Sequence, residues 1–287
     1  MRSTALHPRF GAEVHDVDLR KVSASRGYAE IRAAFEEHSL LLFRHQQLDD
    51  AAHLALGKLF GPIEDRAIGS MGKSPRMDNV TNRLDDGSIA AADDLRTIDL
   101  MGNQLWHTDS IFLPLPALAN ILAARVLSSS GGETEFASTR EAWRELSPEQ
   151  QEQLQDAVFR HQLSHSRQKL SAALAEQPHI TRFDAQAWKA VWRNPVNGAR
   201  ALYFASHTFA VDGMESVAAQ ALIEDLTAHA TEPRKIYTHR WQAGDVLIWD
   251  ERALLHRGRP WPYEEERTLA SVCVTATDAD GIDTIRI

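Results

Sequence analysis

The amino-acid sequence predicts a mainly β chain with flanking helices, arranged as a β-sandwich or jelly roll. Three observations predict it. Short apolar runs bounded by turn residues recur, and the last four (236–241, 246–249, 254–257 and 269–277) follow one another closely. An Asn197-Gly198 pair separates the runs 190–193 and 201–204, a strong hairpin signal. No regular strand–helix–strand alternation appears, which argues against a doubly wound parallel sheet. With 287 residues, 43% of them hydrophobic, the chain is long enough for one large domain spanning 1–287.

The elements are justified in order. Val14, Val17 and Leu19 in the stretch 11–20 suit a short strand. Ile31, Ala34 and Phe35 have helical spacing within 28–38, and Leu40–Phe43 reads as a buried strand. Asp49 or Asp50 can cap a helix that Gly61-Pro62 ends. From about 63 to 99 the pattern weakens and Gly, Ser, Asn and Asp are frequent, so we expect a long irregular loop that serves as a lid. Ala117 to Val126 reads as a strand ending near Gly131-Gly132. Ser147-Pro148-Glu149-Gln150 is a helix start with Ser at the N-cap and Pro at N1, and the helix should reach about Ala157. A strand at 159–165 and a helix at 214–229 follow, and Gly244-Asp245 should turn the strand 236–241 back onto 246–249.

Charge and cysteine content narrow the function. The net charge of −9 gives no electrostatic support for nucleic-acid binding. A single cysteine, Cys273, fits a reducing cytoplasm, and neither a signal peptide nor a stretch of about 18 apolar residues is seen. The expected partner is therefore a small-molecule substrate, with no nucleic acid and no membrane.

Trp106-His107-Thr108-Asp109 sets an imidazole and a carboxylate two residues apart, the same face of a strand. His256 supplies a second imidazole far downstream. Two histidines and one carboxylate around a cation, with other positions open, suit non-haem Fe(II) oxygenase chemistry. An H-x-D triplet alone is common on protein surfaces, so a fixed downstream feature matters. Arg267 lies eleven residues after His256, across the turn-like Gly258–Tyr263 segment. That spacing would place both on adjacent antiparallel strands facing one site. The rigid guanidinium fork there could clamp the far carboxylate of a keto acid.

Taken in order, Val14–Leu19, Leu40–Arg44, Trp106–Asp109, Gly131–Phe136, Gly244–Asp250 and His256-Arg257-Gly258 with Arg267 resemble the family of taurine dioxygenase and the 2,4-dichlorophenoxyacetate dioxygenases. The resemblance covers nearly the whole chain and is nearest to the phenoxyacetate branch. It implies a double-stranded β-helix (jelly-roll, cupin-like) fold, with Fe(II), 2-oxoglutarate as cosubstrate, and O2. It also implies that His107, Asp109 and His256 bind iron, and that Arg267 and Thr134 bind the far carboxylate of 2-oxoglutarate. The implied reaction hydroxylates a small organic substrate and releases succinate and CO2, with C–O cleavage where the carbon attacked carries an ether oxygen. A carboxylate at Asp109 argues against a halogenase. By analogy alone, a homo-oligomer is expected.

The family pattern breaks at two places. Four residues after Arg267, where phenoxyacetate enzymes carry a second arginine, stands Ser271. Of their two histidines, the first matches His207 and the second falls at Ala210. Both changes remove polar anchors, so Trp106, His207 and Ser271 are substrate-site candidates without a cation among them. Arg66, Lys73 and Arg83 in the expected lid are candidate cations, with solvated loop charge as the plainer reading. Two other readings of the triad are a metal hydrolase and a cupin-like binding module without oxygenase activity. Within the oxygenase reading, the substrate is an aryloxyalkanoate or sulfonate in the narrow case. His161, His165 and His239, and the Asp250-Glu251-Arg252 turn, are read as structural.

Overall fold

The computed structural model describes residues 1–65 and 77–287, so Arg66 and Lys73 lie outside the described residues. Among the described residues the strands are β1 (Arg2–Ala5), β2 (Ala12–His15), β3 (Leu40–Phe43), β4 (Asp78–Thr81), β5 (Ala117–Val126), β6 (Thr134–Ser138), β7 (Val158–His161) and β8 (Gln186–Lys189). They continue as β9 (Val191–Arg193), β10 (Arg200–Leu202), β11 (Thr208–Val211), β12 (Ile236–His239), β13 (Val246–Asp250), β14 (Leu254–Gly258) and β15 (Thr268–Thr275). The α-helices are α1 (Tyr28–His38), α2 (Asp50–Phe60), α3 (Leu95–Met101), α4 (Thr139–Glu145), α5 (Pro148–Leu154), α6 (Leu163–Gln168), α7 (Ala172–Ala175), α8 (Pro178–Thr181) and α9 (Ser216–Ala230).

A seven-stranded sheet runs in the order β1-β2-β3-β13-β5-β15-β4, and a three-stranded sheet in the order β12-β6-β14. Alternation explains why the central strands are apolar throughout. Leu40 and Leu42, with Leu247 and Trp249, join Phe136 and Leu254 of the small sheet in one cluster. Leu41, Phe43, Val246 and Ile248 point the other way and pack with Ile31 and Phe35 of α1 and Leu56 of α2. Each central strand therefore buries both faces, one against the small sheet and one against helices. Local signals agree with this packing: Asp49 caps α2 through the Ala52 amide, and Ser147 and Gln150 form a reciprocal capping box on α5. Asn197-Gly198 falls between the antiparallel pair β9 and β10, as expected.

Several expectations are corrected. Part of the segment expected to be irregular is ordered: β4 pairs with β15, and α3 begins at Leu95 behind an Asp94 cap. The polar composition of 77–99 hid both, because β4 is a half-buried edge strand with only four residues. The expected strand at 159–165 is β7 followed at once by α6, and α5 stops at Leu154. Gly244-Asp245 does not close a hairpin. β12 pairs with β6 in the small sheet, whereas β13 pairs with β3 and β5 in the large one. The turn passes the chain between sheets, and Asp245 is tied to Arg44 at 2.7 Å.

The Asp250-Glu251-Arg252 turn is interior. Arg252 is 2% exposed and donates to Glu36 Oε2 at 2.7 Å and to Asp250 Oδ1 at 2.8 Å. Arg252→Met would leave two buried carboxylates short of a cation, an effect of about 3–5 kcal/mol. Urea unfolding should show a loss of that size, and a loss under about 1 kcal/mol would contradict the interior network.

Candidate active site

His107 sits in an isolated bridge, its amide donating to the His256 carbonyl at 3.0 Å and its carbonyl accepting from the His256 amide at 2.8 Å. Asp109 lies in the turn that follows. The pair is therefore not on a regular strand, and the turn, with Ser110 at φ 57°, swings Asp109 toward the histidines. His107 Nε2 and Asp109 Oδ1 are 3.6 Å apart, and His256 Nε2 and Asp109 Oδ1 are 3.8 Å apart. Ligand atoms of His107, Asp109 and His256 all lie within 4.8 Å of one another, a spacing that one metal ion can bridge.

The supporting contacts settle which atom faces the centre. His107 Nδ1 donates to the Leu105 carbonyl at 2.7 Å, leaving Nε2 bare. Asn120 Nδ2 donates to Asp109 Oδ2 at 2.6 Å, and Oδ1 is the oxygen that faces the two imidazoles. Ser271 Oγ in turn donates to Asn120 Oδ1 at 2.9 Å. Burial lowers the His107 pKa and holds His256 at about 3, so both rings are neutral and ready as ligands. The donor set of two imidazoles and one carboxylate suits Fe(II). His161, His165 and His239 form no such cluster among the described residues.

Two cavities meet at this triad, both lined by His107, Asp109 and Asn120. The smaller, about 70 Å³, is also lined by Leu122, Trp249, Leu269, Thr134 and Arg267. Arg267 is 4% exposed and donates through Nη2 to the Gly132 carbonyl at 2.7 Å. Its guanidinium lies 4.9 Å from the centre of the Trp261 ring. Burial pulls it down to about 10, and among the described residues no carboxylate is within ion-pair distance. A buried cation left in this way is a receptor for an anion. Gly132 permits the approach: a Cβ there would lie 2.6 Å from Arg267 Nε, and its φ is +70°. Thr134 Oγ1 accepts from Trp241 Nε1 at 3.0 Å, which leaves its own proton for an acceptor in the cavity.

His256 and Arg267 do not share neighbouring strands. β14 pairs with β6, and Arg267 immediately precedes β15, which pairs with β5 and β4. They reach one cavity because the two sheets face each other.

The larger cavity is about 730 Å³, within the size of small-molecule sites. Phe112, Leu113, Leu163 and Ile180 give it apolar walls, and His207, Ser271 and Arg83 also line it. Ser166 spends its hydroxyl proton on the Leu163 carbonyl, so His207 Nδ1 donates to Ser166 Oγ at 2.8 Å and Nε2 is the acceptor. Burial holds His207 well below its usual range and neutral. Arg83 is exposed and lies 3.6 Å from Glu266. Trp106 lines neither cavity; Arg257 lies over its ring at 4.5 Å. Sequence reasoning missed Asn120, although a lone amide inside the buried run of β5 is a visible signal. Glu251, read only as part of a structural turn, lies 1% exposed behind the triad.

The family model described as taurine catabolism dioxygenase TauD, TfdA family matches residues 2–273. The chain belongs to the TauD, TfdA family. As a member it is an Fe(II)- and 2-oxoglutarate-dependent dioxygenase, an oxidoreductase that uses O2. Among its relatives is the alpha-ketoglutarate-dependent 2,4-dichlorophenoxyacetate dioxygenase of Cupriavidus pinatubonensis. It is 33% identical over 269 residues, covering 92% of this chain and 94% of that protein. The (S)-phenoxypropionate/alpha-ketoglutarate-dioxygenase of Sphingobium herbicidovorans is 32% identical, covering 92% and 91%. The solved structure of AAD-2 in complex with Mn(II) and N-oxalylglycine superposes with a TM-score of 0.89 at 31% identity, covering 96% of this TauD, TfdA-family chain and 98% of that one.

Proposed function

We propose that this enzyme hydroxylates a small organic molecule in the 730 Å³ cavity, with iron held by His107 Nε2, His256 Nε2 and Asp109 Oδ1. 2-Oxoglutarate occupies the smaller cavity with its far carboxylate on Arg267 and Thr134. The observation that carries this reading is Arg267: a buried cation with no carboxylate partner among the described residues, lining a cavity that the triad also lines. A hydrolase using the same three ligands has no need of such a clamp. Bound Fe(II) supplies the redox centre at which O2 oxidises 2-oxoglutarate to succinate and CO2 and delivers one oxygen atom to the substrate. Arg267 and Thr134 aim the cosubstrate, Asn120 fixes the carboxylate ligand, and Leu122, Trp249 and Leu269 keep water from the small compartment.

The same reading takes the two facing sheets as the walls of a double-stranded β-helix within a single domain, 1–287. A core cluster running from Ala12 to Ile285 supports the single domain. Residues 77–99 supply Val80, Asn82, Leu84 and Thr97 to the larger cavity, which supports a covering role for that part of the expected lid. A cytoplasmic enzyme without nucleic-acid or membrane partners, in a homo-oligomer, completes the proposal; the single cysteine and net charge of −9 support its first parts.

His207 and Ser271 are the polar substrate-side candidates. Ser271 is engaged with Asn120 and His207 is neutral, so neither supplies the cation that a carboxylate substrate needs. The relatives named for phenoxyalkanoates, together with the alpha-ketoglutarate-dependent sulfate ester dioxygenase of Pseudomonas putida at 30% identity over 264 residues, define the compounds to test. Aryloxyalkanoates, alkyl sulfates and their neutral esters should be offered with Fe(II), 2-oxoglutarate and O2. Succinate release should be stimulated by at least one, with an oxygenated or cleaved product by mass. Keto-acid consumption that no compound stimulates would contradict the proposed substrate range.

A further inference from the structure

Each metal-facing side chain needs its remaining polar atom held. His107 has the Leu105 carbonyl and Asp109 has Asn120. His256 Nδ1 is buried and has no hydrogen-bond partner among the described residues. A histidine bound to metal through Nε2 carries its proton on Nδ1 and requires an acceptor there. The carboxylate oxygen facing it is Glu251 Oε2, 3.8 Å away. That oxygen already accepts from the Asp109 amide at 2.9 Å and lies 2.7 Å from Thr108 Oγ1. Thr108 has one proton and a second acceptor, the Glu251 carbonyl at 2.6 Å, so Oε2 retains a lone pair for another donor. Glu251 Oε1 is also buried without a hydrogen-bond partner among the described residues.

We propose that Glu251 is the positioning residue of the iron site: its carboxylate receives the Nδ1–H of His256 when metal occupies Nε2, and with the same oxygen anchors the backbone of Asp109. One interior side chain thus sets the tautomer and orientation of the second histidine and the placement of the carboxylate ligand. This rests on the reading of His107, Asp109 and His256 as the metal site. A purely structural role, tying the Thr108–Asp109 turn to the end of β13, would hold the apo fold together without acting on metal affinity.

Mn(II) titration of the full chain, without cosubstrate, separates the two. Glu251→Gln keeps the size but presents an amide N–H group that can donate to His256 Nδ1 and favours the wrong tautomer. Mn(II) affinity should fall about 10- to 100-fold, with the apo protein melting near the parent temperature. Glu251→Asp, which keeps a carboxyl group, should recover part of the loss. Equal Mn(II) affinity in parent and Glu251→Gln would overturn the role of Glu251 while leaving the metal site intact. No Mn(II) binding by the parent would overturn both. Should Glu251→Gln fail to fold, proton NMR of the parent decides. The Zn(II)-loaded protein should show a slowly exchanging, far-downfield His256 Nδ1–H signal, and a rapidly exchanging proton there would overturn the proposal.

Discussion

His107→Ala should leave a folded protein whose 2-oxoglutarate-dependent turnover falls on the order of a thousandfold or more, because removing one of three ligands forfeits several kcal/mol of metal chemistry. His107 also contributes to the fold through its backbone, which bonds both ways to His256, and that bridge survives a side-chain truncation. Its ring touches the neutral His207 at 6.4 Å between centres and packs at 4.1 Å from His256, so the deletion opens space between polar groups and leaves no buried charge. The loss should therefore appear in metal affinity and turnover far more than in melting temperature. Circular dichroism of the variant, with Fe(II) binding measured anaerobically, checks this. Parent-like turnover would remove His107 from the site.

Arg267→Ala should raise the apparent KM for 2-oxoglutarate by about 30-fold to several-thousandfold, the range set by losing a buried charge-assisted contact of about 2–5 kcal/mol. Fe(II) affinity should stay within a few-fold, because the Arg267 guanidinium is held by the Gly132 carbonyl and the Trp261 ring and not by the three ligand residues. The variant also removes a buried cation that, among the described residues, meets the Gly132 carbonyl and the Trp261 ring, so the empty protein should lose little stability. Equal losses for iron and cosubstrate would contradict a clamp and point to collapse of the Gly131-Gly132 turn instead.

How much of this was legible in the sequence depends on the length scale of the signal. The helices α1 and α2 and the strands β3, β5, β13 and β14 were readable because burial on both faces makes continuous apolar runs, and caps such as Asp49 and Ser147 mark the ends. Strand β4 and helix α3 were not, because a four-residue edge strand and a polar helix over a cavity carry no strong period. Pairing was the weakest part. Gly244-Asp245 has hairpin chemistry, yet it passes the chain from one sheet to another, a choice made by tertiary packing. At the site, residue types at fixed spacing pointed to His107, Asp109, His256 and Arg267, and the family resemblance added Thr134; the fold brings all five around two joined cavities. What spacing could not show was the support behind them. Asn120 and Ser271 come from two neighbouring strands, and Glu251 meets Asp109 only through the fold. The departure at Ser271 gained a physical reading: a hydroxyl there serves the Asn120–Asp109 chain.

The central claim is that a keto acid chelates iron at the triad with Arg267 holding its far end. Anaerobic titration of the iron-loaded protein with 2-oxoglutarate tests it most directly. A weak visible charge-transfer absorption should grow to saturation at one equivalent, vanish in His107→Ala, and need far more 2-oxoglutarate in Arg267→Ala. A well-folded, iron-loaded parent showing no such absorption, or an absorption that survives His107→Ala, would contradict the assignment.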